Sequence, residues 1–299
     1  MIKTHKNFPS ELLSKTEEEL SSTIIDVQIP LQGMDSNVFF VKCKNNQKYA
    51  IKLGNGIEND IFAYKLLTKH KIDVPIPALI SSFIFKQKPV LILEKINFPL
   101  LESISIKNMP QYIPSMIANL KKIHQIKSDK QNWKNYLLSK FNNQNSNLNW
   151  SQIATRTGLD KDIVTTSVDK ILNKINNTEF INSNYSFLHT DFNQRNLFID
   201  PNSDQITAII DWGETTFGDQ IYDFARIRML IWHFNLGQEV LNNYYQLLAL
   251  TPPQKNLEEL YFLSRIIEYL AYYSENLNQF NLKRIRLHQN FLKKYKWQN

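Results

Sequence analysis

Short apolar runs alternate with polar turns over the first third of the chain, which is the pattern of β-strands. Five such runs are present, at residues 24–29, 38–42, 49–53, 79–85 and 89–94. Apolar positions recur at helical spacing over residues 58–70, and a weaker apolar face predicts a short helix over residues 9–20. The pattern therefore predicts a small antiparallel sheet accompanied by two helices.

The rest of the chain has mostly helical periodicity. Helices are predicted at residues 109–126, 222–234, 238–248, 257–273 and 283–295, and two more around Gly158 between residues 153 and 175. An asparagine-rich stretch at 142–149 is predicted as a loop, and strand-like runs lie at 185–188, 197–199 and 206–210. This order predicts an α+β fold with two lobes, a small N-terminal antiparallel β lobe over residues 1–97 and a larger, mostly helical C-terminal lobe over 98–299.

The net charge of +7 and the isoelectric point near 9.2 raise the question of nucleic-acid binding. Lys and Arg are scattered, however, and their densest cluster is the C-terminal tail, so we expect no nucleic-acid partner. The sequence has no apolar run of the roughly 18–20 residues that span a bilayer and no secretory signal, so we expect no membrane partner and a cytoplasmic location. The single cysteine, Cys43, excludes an internal disulfide and fits a reducing compartment.

Candidate chemistry lies in the loops beside the later strand-like runs. Asp191 follows one run, Asn196 precedes the next, and Asp211 follows the third. Buried strands hold their loop ends rigidly, so these three side chains are expected to meet. An aspartate that takes up a hydroxyl proton, beside an asparagine and an aspartate that bind Mg²⁺, is typical of phosphoryl transfer. Each residue alone would be read as a turn cap, but the three in this order favour a site.

The motifs in this region resemble those of a known family. His-x-Asp-x-x-x-x-Asn, Ile-Ile-Asp-Trp, Phe-Gly-Asp and Tyr-Asp-Phe-Ala follow one another between residues 189 and 225. The combination is similar to the aminoglycoside phosphotransferase and choline kinase group, which are small-molecule kinases with a bilobal protein-kinase-like fold. Within that group, residues 189–225 look closest to hygromycin B phosphotransferase.

The resemblance implies a kinase that uses Mg²⁺ and ATP or GTP to phosphorylate a hydroxyl group of a small molecule. An aminoglycoside-type antibiotic is the leading acceptor class. The alternatives are a metabolite kinase for choline, homoserine or a sugar, and a non-catalytic nucleotide-binding protein. The nucleotide would bind the lobe at residues 1–97, whose end is the hinge, while the lobe at 98–299 would hold the catalytic loop, metal site and acceptor pocket. Both a monomer and a homodimer are compatible with the resemblance.

Site residues follow from the same resemblance. Asp191 is expected to take up the acceptor proton, Asn196 and Asp211 to bind Mg²⁺, and His189 and Asp219 to support the site. The residues expected to bind nucleotide lie in the first lobe: Gly33, Ser36, Asn37, Lys52, Asp60, Glu94 and Ile96. Asp60 stands where the family has the glutamate partner of the lysine, and Glu58 is the alternative partner.

The acceptor pocket is predicted from residues near the catalytic aspartate and on the C-terminal helices. The candidates are Arg195, Glu214, Trp232, His233 and Glu268. Arg195 argues against a strongly cationic acceptor, and a cationic acceptor on a basic protein requires a local acidic pocket. Taken alone, Trp232 is interpreted as core packing and Glu268 as a surface acid. Asn193, where protein kinases commonly have lysine, favours a small-molecule acceptor.

Overall fold

A computed structural model of the chain describes residues 8–30, 37–54, 56–128, 132–146, 155, 158–178, 180, 185–275 and 277–295. The chain divides into two compact units. Unit 1 comprises Met1–Ile123 and His189–Thr216, and unit 2 comprises His124–Leu188 and Phe217–Asn299. These units group segments by compactness, and the lobe boundary near residue 97 stays a prediction.

The sheet of unit 1 has five strands: β1 (Ile24–Gln28), β2 (Asn37–Cys43), β3 (Lys48–Leu53), β4 (Leu79–Phe85) and β5 (Lys88–Glu94). Their order is β1-β2-β3-β5-β4, and every neighbouring pair is antiparallel. Helix α1 (Ser10–Leu20) precedes the sheet, and α2 (Ile57–Lys69) connects β3 with β4. Each of these elements lies within a few residues of its prediction. The central strand is β3, which carries Lys52.

Alternation along β3 decides where Lys52 points. Tyr49, Ile51 and Leu53 are buried in a core that also includes Leu12 of α1. Side chains of successive strand residues point to opposite faces, so Lys52 lies on the other face of the sheet. In the register, Lys52 pairs with Val38 on β2 and Leu91 on β5. A central position with strands on both sides fixes the backbone of this lysine.

The remainder of unit 1 begins with two 3-10 helices, Leu101–Ser103 and Ile106–Tyr112, which lead into α3 (Ile113–Ile123). The helix predicted over 109–126 thus starts as a 3-10 helix, which contains Pro110. Strands β8 (Leu197–Asp200) and β9 (Gln205–Ile209) form an antiparallel hairpin. The hairpin places Asn196 just before its first strand and Asp211 just after its second.

Unit 2 includes a small sheet of β6 (Lys127–Ser128), β7 (Tyr185–Leu188) and β10 (Thr216–Gly218), in the order β10-β7-β6, apart from Thr216, which is the last residue of unit 1. Its described helices are α4 (Trp133–Ser146), α5 (Lys161–Asn177), α6 (Ile221–His233), α7 (Gln238–Leu248), α8 (Pro252–Glu275) and α9 (Gln279–Lys294). The loop predicted at 142–149 is wrong as far as residue 146, because α4 continues there. The predicted first helix near residue 153 lies mostly outside the described residues.

The α+β prediction is confirmed, with an antiparallel sheet in the N-terminal region and helices in the C-terminal region. Proline caused one boundary error. The helix predicted from residue 257 begins at Pro252, because Pro252 and Pro253 form the first turn of α8, where the missing N–H groups have no partner to lose. In the described part of the chain, none of the helices has the length and apolarity needed to cross a membrane.

Candidate active site

Lys52 of β3 is held between two carboxylates of unit 1. Its Nζ lies 3.0 Å from Oδ2 of Asp60 on α2 and 2.9 Å from Oδ1 of Asp211. Burial of the ammonium lowers the pKa of Lys52, but the two negative charges outweigh this effect and the net pKa is raised. The lysine therefore stays charged, as a group that neutralises phosphate must. Glu58, the alternative partner, is exposed to solvent.

The second oxygen of Asp60 binds backbone. Its Oδ1 accepts a hydrogen bond of 2.8 Å from the Trp212 N–H group. The neighbouring Asn59 donates from Nδ2 to the Gly213 carbonyl oxygen at 2.8 Å. Two consecutive residues of α2 thereby fix the segment that follows Asp211. Asp211 itself has a left-handed backbone with φ of +67° and a half-exposed carboxylate.

The loop after β7 brings Asp191 and Asn196 together. Nδ2 of Asn196 donates to the Asp191 carbonyl oxygen at 2.9 Å and to its Oδ2 at 3.0 Å. Because both bonds use the amide nitrogen, the amide oxygen of Asn196 is oriented away from Asp191. The Asn196 carbonyl accepts from the Ile210 N–H group at 3.0 Å, which joins this loop to the residue before Asp211.

His189 is buried, and its two ring nitrogens have separate roles. The Asp191 N–H group donates to Nδ1 at 3.3 Å, so the proton of the neutral ring is on Nε2. Nε2 then donates to the Ile210 carbonyl oxygen at 3.0 Å. The ring also lies 4.5 Å from the ring of Trp212. These contacts suit the predicted supporting role, because both nitrogens are committed to holding backbone.

The donor set fits a bound Mg²⁺ ion. Mg²⁺ prefers oxygen ligands and is commonly held by one or two carboxylates together with phosphate oxygens. The Asp211 carboxylate and the Asn196 amide oxygen would supply the protein ligands. No group of three or more His, Cys, Asp or Glu residues suited to a metal is found within the described residues, so phosphate oxygens and water would complete the coordination.

The sequence matches the model of the phosphotransferase enzyme family, called APH, over residues 28–262. The chain belongs to this family. The match covers the predicted nucleotide, catalytic and metal residues together. Family membership confirms the expected small-molecule kinase class and the predicted relation to aminoglycoside phosphotransferases.

Solved structures of other phosphotransferases share the fold. A thermostable mutant of aminoglycoside phosphotransferase APH(4)-Ia, in a ternary complex with ADP and hygromycin B, aligns with a TM-score of 0.67 at 14% identity, covering 95% of this chain and 97% of that one. Spectinomycin phosphotransferase APH(9)-Ia, in complex with ADP and spectinomycin, aligns with a TM-score of 0.66 at 17% identity, covering 96% and 94%.

A gentamicin complex of APH(2")-IIa has a TM-score of 0.64 at 17% identity and 98% coverage of both chains. The search of curated proteins gave no match. At these identities the structural likeness shows the fold of the phosphotransferase and leaves its acceptor open.

The remaining nucleotide-binding predictions are only partly visible in this phosphotransferase. Gly33 and Ser36 lie outside the described residues, and Asn37 is described only as the first backbone residue of β2. Glu94 ends β5, and its N–H group donates to the Ala78 carbonyl oxygen at 3.0 Å. Ile96 is half-buried two residues later. Adenine binding by backbone groups at this hinge stays a prediction.

Two acceptor candidates of the phosphotransferase lie in unit 1. Nε of Arg195 donates to Oε2 of Glu102 at 2.7 Å, and the Glu102 N–H group donates to the Gln194 carbonyl oxygen at 3.0 Å. Glu102 therefore compensates the charge of Arg195 and connects the 3-10 helix at Leu101–Ser103 to the loop that contains Asp191. Glu214 is exposed, and its carbonyl oxygen accepts from Oγ1 of Thr190 at 2.8 Å.

The other acceptor candidates lie in unit 2. Trp232 of α6 is half-buried, and its ring contacts those of Phe262 and His288. These contacts agree with its interpretation as core packing. The His233 ring lies 5.9 Å from that of His288. The surface interpretation of Glu268 is wrong, because its side chain is only 12% exposed and accepts a hydrogen bond from the buried Arg265.

Asp219 is part of a hydrogen-bond chain in unit 2. Its Oδ1 accepts from the Ile221 N–H group at 2.9 Å at the start of α6, and its Oδ2 accepts from the Tyr261 hydroxyl at 3.0 Å. Burial raises the pKa of Asp219, and the two hydrogen bonds oppose that rise. Trp133 Nε1 donates to the Tyr261 oxygen at 2.8 Å. Asp219 thus organises unit 2, and its support of the catalytic loop stays a prediction.

Sequence reasoning missed three residues that organise the candidate site. They are Asn59, Glu102 and Thr190, whose side chains bond the catalytic loop or the segment after Asp211. Asn59 had one usable signal, since it stands beside Asp60, a predicted site residue, in the first turn of α2. Glu102 and Thr190 had none, because their partners are distant in the sequence.

Proposed function

We propose that this phosphotransferase transfers the γ-phosphoryl group of ATP or GTP to a hydroxyl group of a small molecule, with an aminoglycoside-type antibiotic as the leading acceptor. The observation that carries this proposal is the arrangement of Lys52, Asp191, Asn196 and Asp211 within one compact unit. The structures of similar fold bind ADP together with hygromycin B or spectinomycin, which supports a nucleotide donor and a hydroxylated acceptor here.

Each of the four residues has a distinct task in the proposed transfer. Lys52 neutralises phosphate charge, and Asp60 holds its ammonium in place. Asp191 orients the acceptor hydroxyl and takes up its proton as the oxygen attacks the γ-phosphorus. The new bond joins that oxygen to phosphorus, and the bond between phosphorus and the β–γ bridging oxygen breaks, so that ADP or GDP leaves.

The metal site of the proposal consists of Asn196 and Asp211. A bound Mg²⁺ would supply charge neutralisation at the phosphates. Asn196 is suited to this site because Asp191 orients its amide, which presents the oxygen. Asp211 is suited because its carboxylate is half exposed while its backbone is held by the neighbouring contacts.

The charge near Asp191 bears on the choice of acceptor. The negative charge of Glu102 balances the positive charge of Arg195, so Arg195 adds no net positive charge near Asp191. That pairing removes one argument against a cationic aminoglycoside. The guanidinium side chain is nevertheless 55% exposed, and an exposed guanidinium favours an acceptor that carries a carboxylate. A metabolite kinase for homoserine, which carries a carboxylate, is therefore the second candidate. Choline and sugars, the other metabolites of this class, have no carboxylate and are not favoured by this observation.

The test is nucleotide turnover with a panel of acceptors. ADP release would be measured with aminoglycosides, spectinomycin, choline, homoserine and simple sugars, first with Mg-ATP and then with Mg-GTP. Acceptor-dependent release identifies the substrate class. Asp191→Asn, which keeps the size of the side chain, should reduce kcat by about 10²-fold or more. Asp162→Asn, an exposed acid on α5, is the matched control and should leave turnover unchanged.

The outcomes separate the candidates. Release with an aminoglycoside supports the leading acceptor class, and expression of the gene should then protect a susceptible host against that compound. Release only with a metabolite supports the second candidate. Tight Mg-nucleotide binding without release in any reaction would contradict the catalytic proposal and favour a nucleotide-binding protein of the same fold.

A further inference from the structure

The backbone of the segment that contains Asp211 is held by side chains at four points. His189 binds the Ile210 carbonyl, Asp60 binds the Trp212 N–H group, Asn59 binds the Gly213 carbonyl and Thr190 binds the Glu214 carbonyl. Two of the four bonds come from α2, and two come from consecutive residues immediately before Asp191. Residues 210–214 have no regular secondary structure, so these bonds to the backbone, together with the ion pair between Lys52 and Asp211, hold the Asp211 carboxylate in place.

Thr190 is unusual among these four residues. It is fully buried and has a φ of +63°. Within the described residues, it is the one β-branched residue with positive φ. This conformation is strained for a β-branched side chain, and such strain concentrates at functional sites. A residue with a less crowded Cβ would fit the backbone better, so the side chain must contribute something that offsets the strain.

The contribution that the geometry offers is the hydroxyl. Oγ1 of Thr190 donates to the Glu214 carbonyl oxygen at 2.8 Å, three residues after Asp211. The next residue in the chain is Asp191. A single side chain therefore connects the backbone next to the proposed proton acceptor with the segment of the proposed metal ligand.

We infer that Thr190 is a positioning residue for phosphoryl transfer, which sets the Asp211 carboxylate relative to Asp191 through the Glu214 carbonyl. This inference rests on the proposed function. It predicts that loss of the hydroxyl weakens Mg²⁺-dependent nucleotide binding and lowers kcat, whereas loss of the Cγ2 methyl group alone does not.

The variants separate the hydroxyl from the methyl group. Thr190→Val keeps the β-branched shape and removes the hydrogen bond, and Thr190→Ser keeps the hydroxyl. Thr207→Val is the matched control, because the Thr207 hydroxyl on β9 is also buried and has no hydrogen-bond partner in the described part of the chain. If Thr190→Val does not fold, Thr190→Ala removes the hydroxyl with less crowding at Cβ.

The first readout is binding of the non-hydrolysable analogue AMP-PNP at increasing Mg²⁺, by calorimetry on the full chain. We expect Thr190→Val to need several-fold more Mg²⁺ for half-maximal binding, with metal-free binding unchanged. The second readout is kcat at saturating Mg²⁺ and acceptor, which should fall about five- to tenfold, the effect of one lost hydrogen bond. Thr190→Ser and Thr207→Val should match the unsubstituted protein in both assays.

Two results are decisive. If Thr190→Val lowers the melting temperature but leaves both Mg²⁺ dependence and kcat unchanged, Thr190 is only structural and the inference is wrong. If the unsubstituted protein turns over no acceptor, the proposed function has failed, and the binding assay still decides whether Thr190 positions the metal segment. Rescue by serine together with loss by valine would support the inference.

Discussion

Asp60 offers the most direct test of how the candidate site is assembled. One carboxylate oxygen pairs with Lys52 and the other accepts from the Trp212 N–H group. The side chains of Asp60 and Lys52 are 3% and 13% exposed. Removing one member of a buried ion pair costs about 3–5 kcal/mol. Because Lys52 retains Asp211 as a second partner, we expect Asp60→Asn to destabilise the fold by about 2–3 kcal/mol.

The longer acid tests the second oxygen. In Asp60→Glu the carboxylate stays near Lys52, but the extra methylene moves it away from the position that accepts from Trp212. A buried N–H group without its acceptor costs about 1–3 kcal/mol, and the extra methylene adds crowding of similar size. The substitution should therefore be costly although it restores the residue that the family resemblance would lead one to expect.

Urea unfolding followed by tryptophan fluorescence measures both losses, and AMP-PNP affinity reports on Lys52. Glu58→Gln is the matched control, since this exposed acid lies on the same turn of α2 and should change stability by less than about 0.5 kcal/mol. If Asp60→Glu left the free energy of unfolding unchanged, the contact with Trp212 would be refuted. A loss in Glu58→Gln as large as that in Asp60→Asn would refute Asp60 as the partner of Lys52.

Three other predictions concern stability. Gly218→Ala places a Cβ 2.2 Å from the Trp133 ring and should lower stability by about 1–3 kcal/mol in urea titrations, whereas Gly213→Ala, with nothing closer than 3.8 Å, should be nearly neutral. Burial lowers the pKa of His288 to about 4, so the free energy of unfolding should fall by about 3 kcal/mol as the pH decreases from 6.5 to 4. Urea titrations across this pH range measure the loss, and His288→Phe should abolish it. Arg195→Gln should cost less than about 1 kcal/mol by thermal unfolding, because its ion pair with Glu102 is exposed; a larger loss would show a stronger pair.

The sign of the His288 effect follows from its burial, which lowers the pKa of the ring more than the hydrogen bond to the Arg284 carbonyl raises it. Nδ1 donates to the Arg284 carbonyl at 2.7 Å, so the neutral ring leaves Nε2 as an unprotonated acceptor. Nε2 is buried without a hydrogen-bond partner among the described residues. The unfolded chain therefore binds a proton more readily than the folded chain between the two pKa values. Stability is complete above about pH 6.5 and is lost as pH falls toward 4.

The parts of the site that sequence could predict are those encoded locally. Asn196 and Asp211 flank one hairpin, and hairpin strands are recognisable from their apolar runs. The role proposed for Asp191 follows from its neighbours in the same loop. For the same reason, the strands of unit 1 were predicted closely: alternation along a strand is a property of adjacent residues.

What sequence could not predict depends on contacts between distant residues. Asparagine is a weak helix former, yet α4 continues through residues 142–146 after Trp133, which is fully buried. The asparagine-rich composition of residues 142–146 therefore does not end the helix. Glu268 was expected at the surface because no residue near it in the sequence indicated that Arg265 would be buried beside it. The acceptor pocket is the hardest part of the site to predict from sequence, since side chains from several elements define a pocket.

The aspartate at position 60 shows how a local sequence pattern and contacts between distant residues act together. Sequence alone presents it as a shortened substitute for glutamate, and Glu58 as a possible replacement. In the structure, the short side chain lets α2 lie close enough for Asn59 and Asp60 to bond the backbone at Gly213 and Trp212. The same carboxylate that orients Lys52 thus fixes the residue next to Asp211. One turn of α2 positions both Lys52 and the proposed metal ligand Asp211, so a change at Asp60 should disturb nucleotide binding and Mg²⁺ binding together.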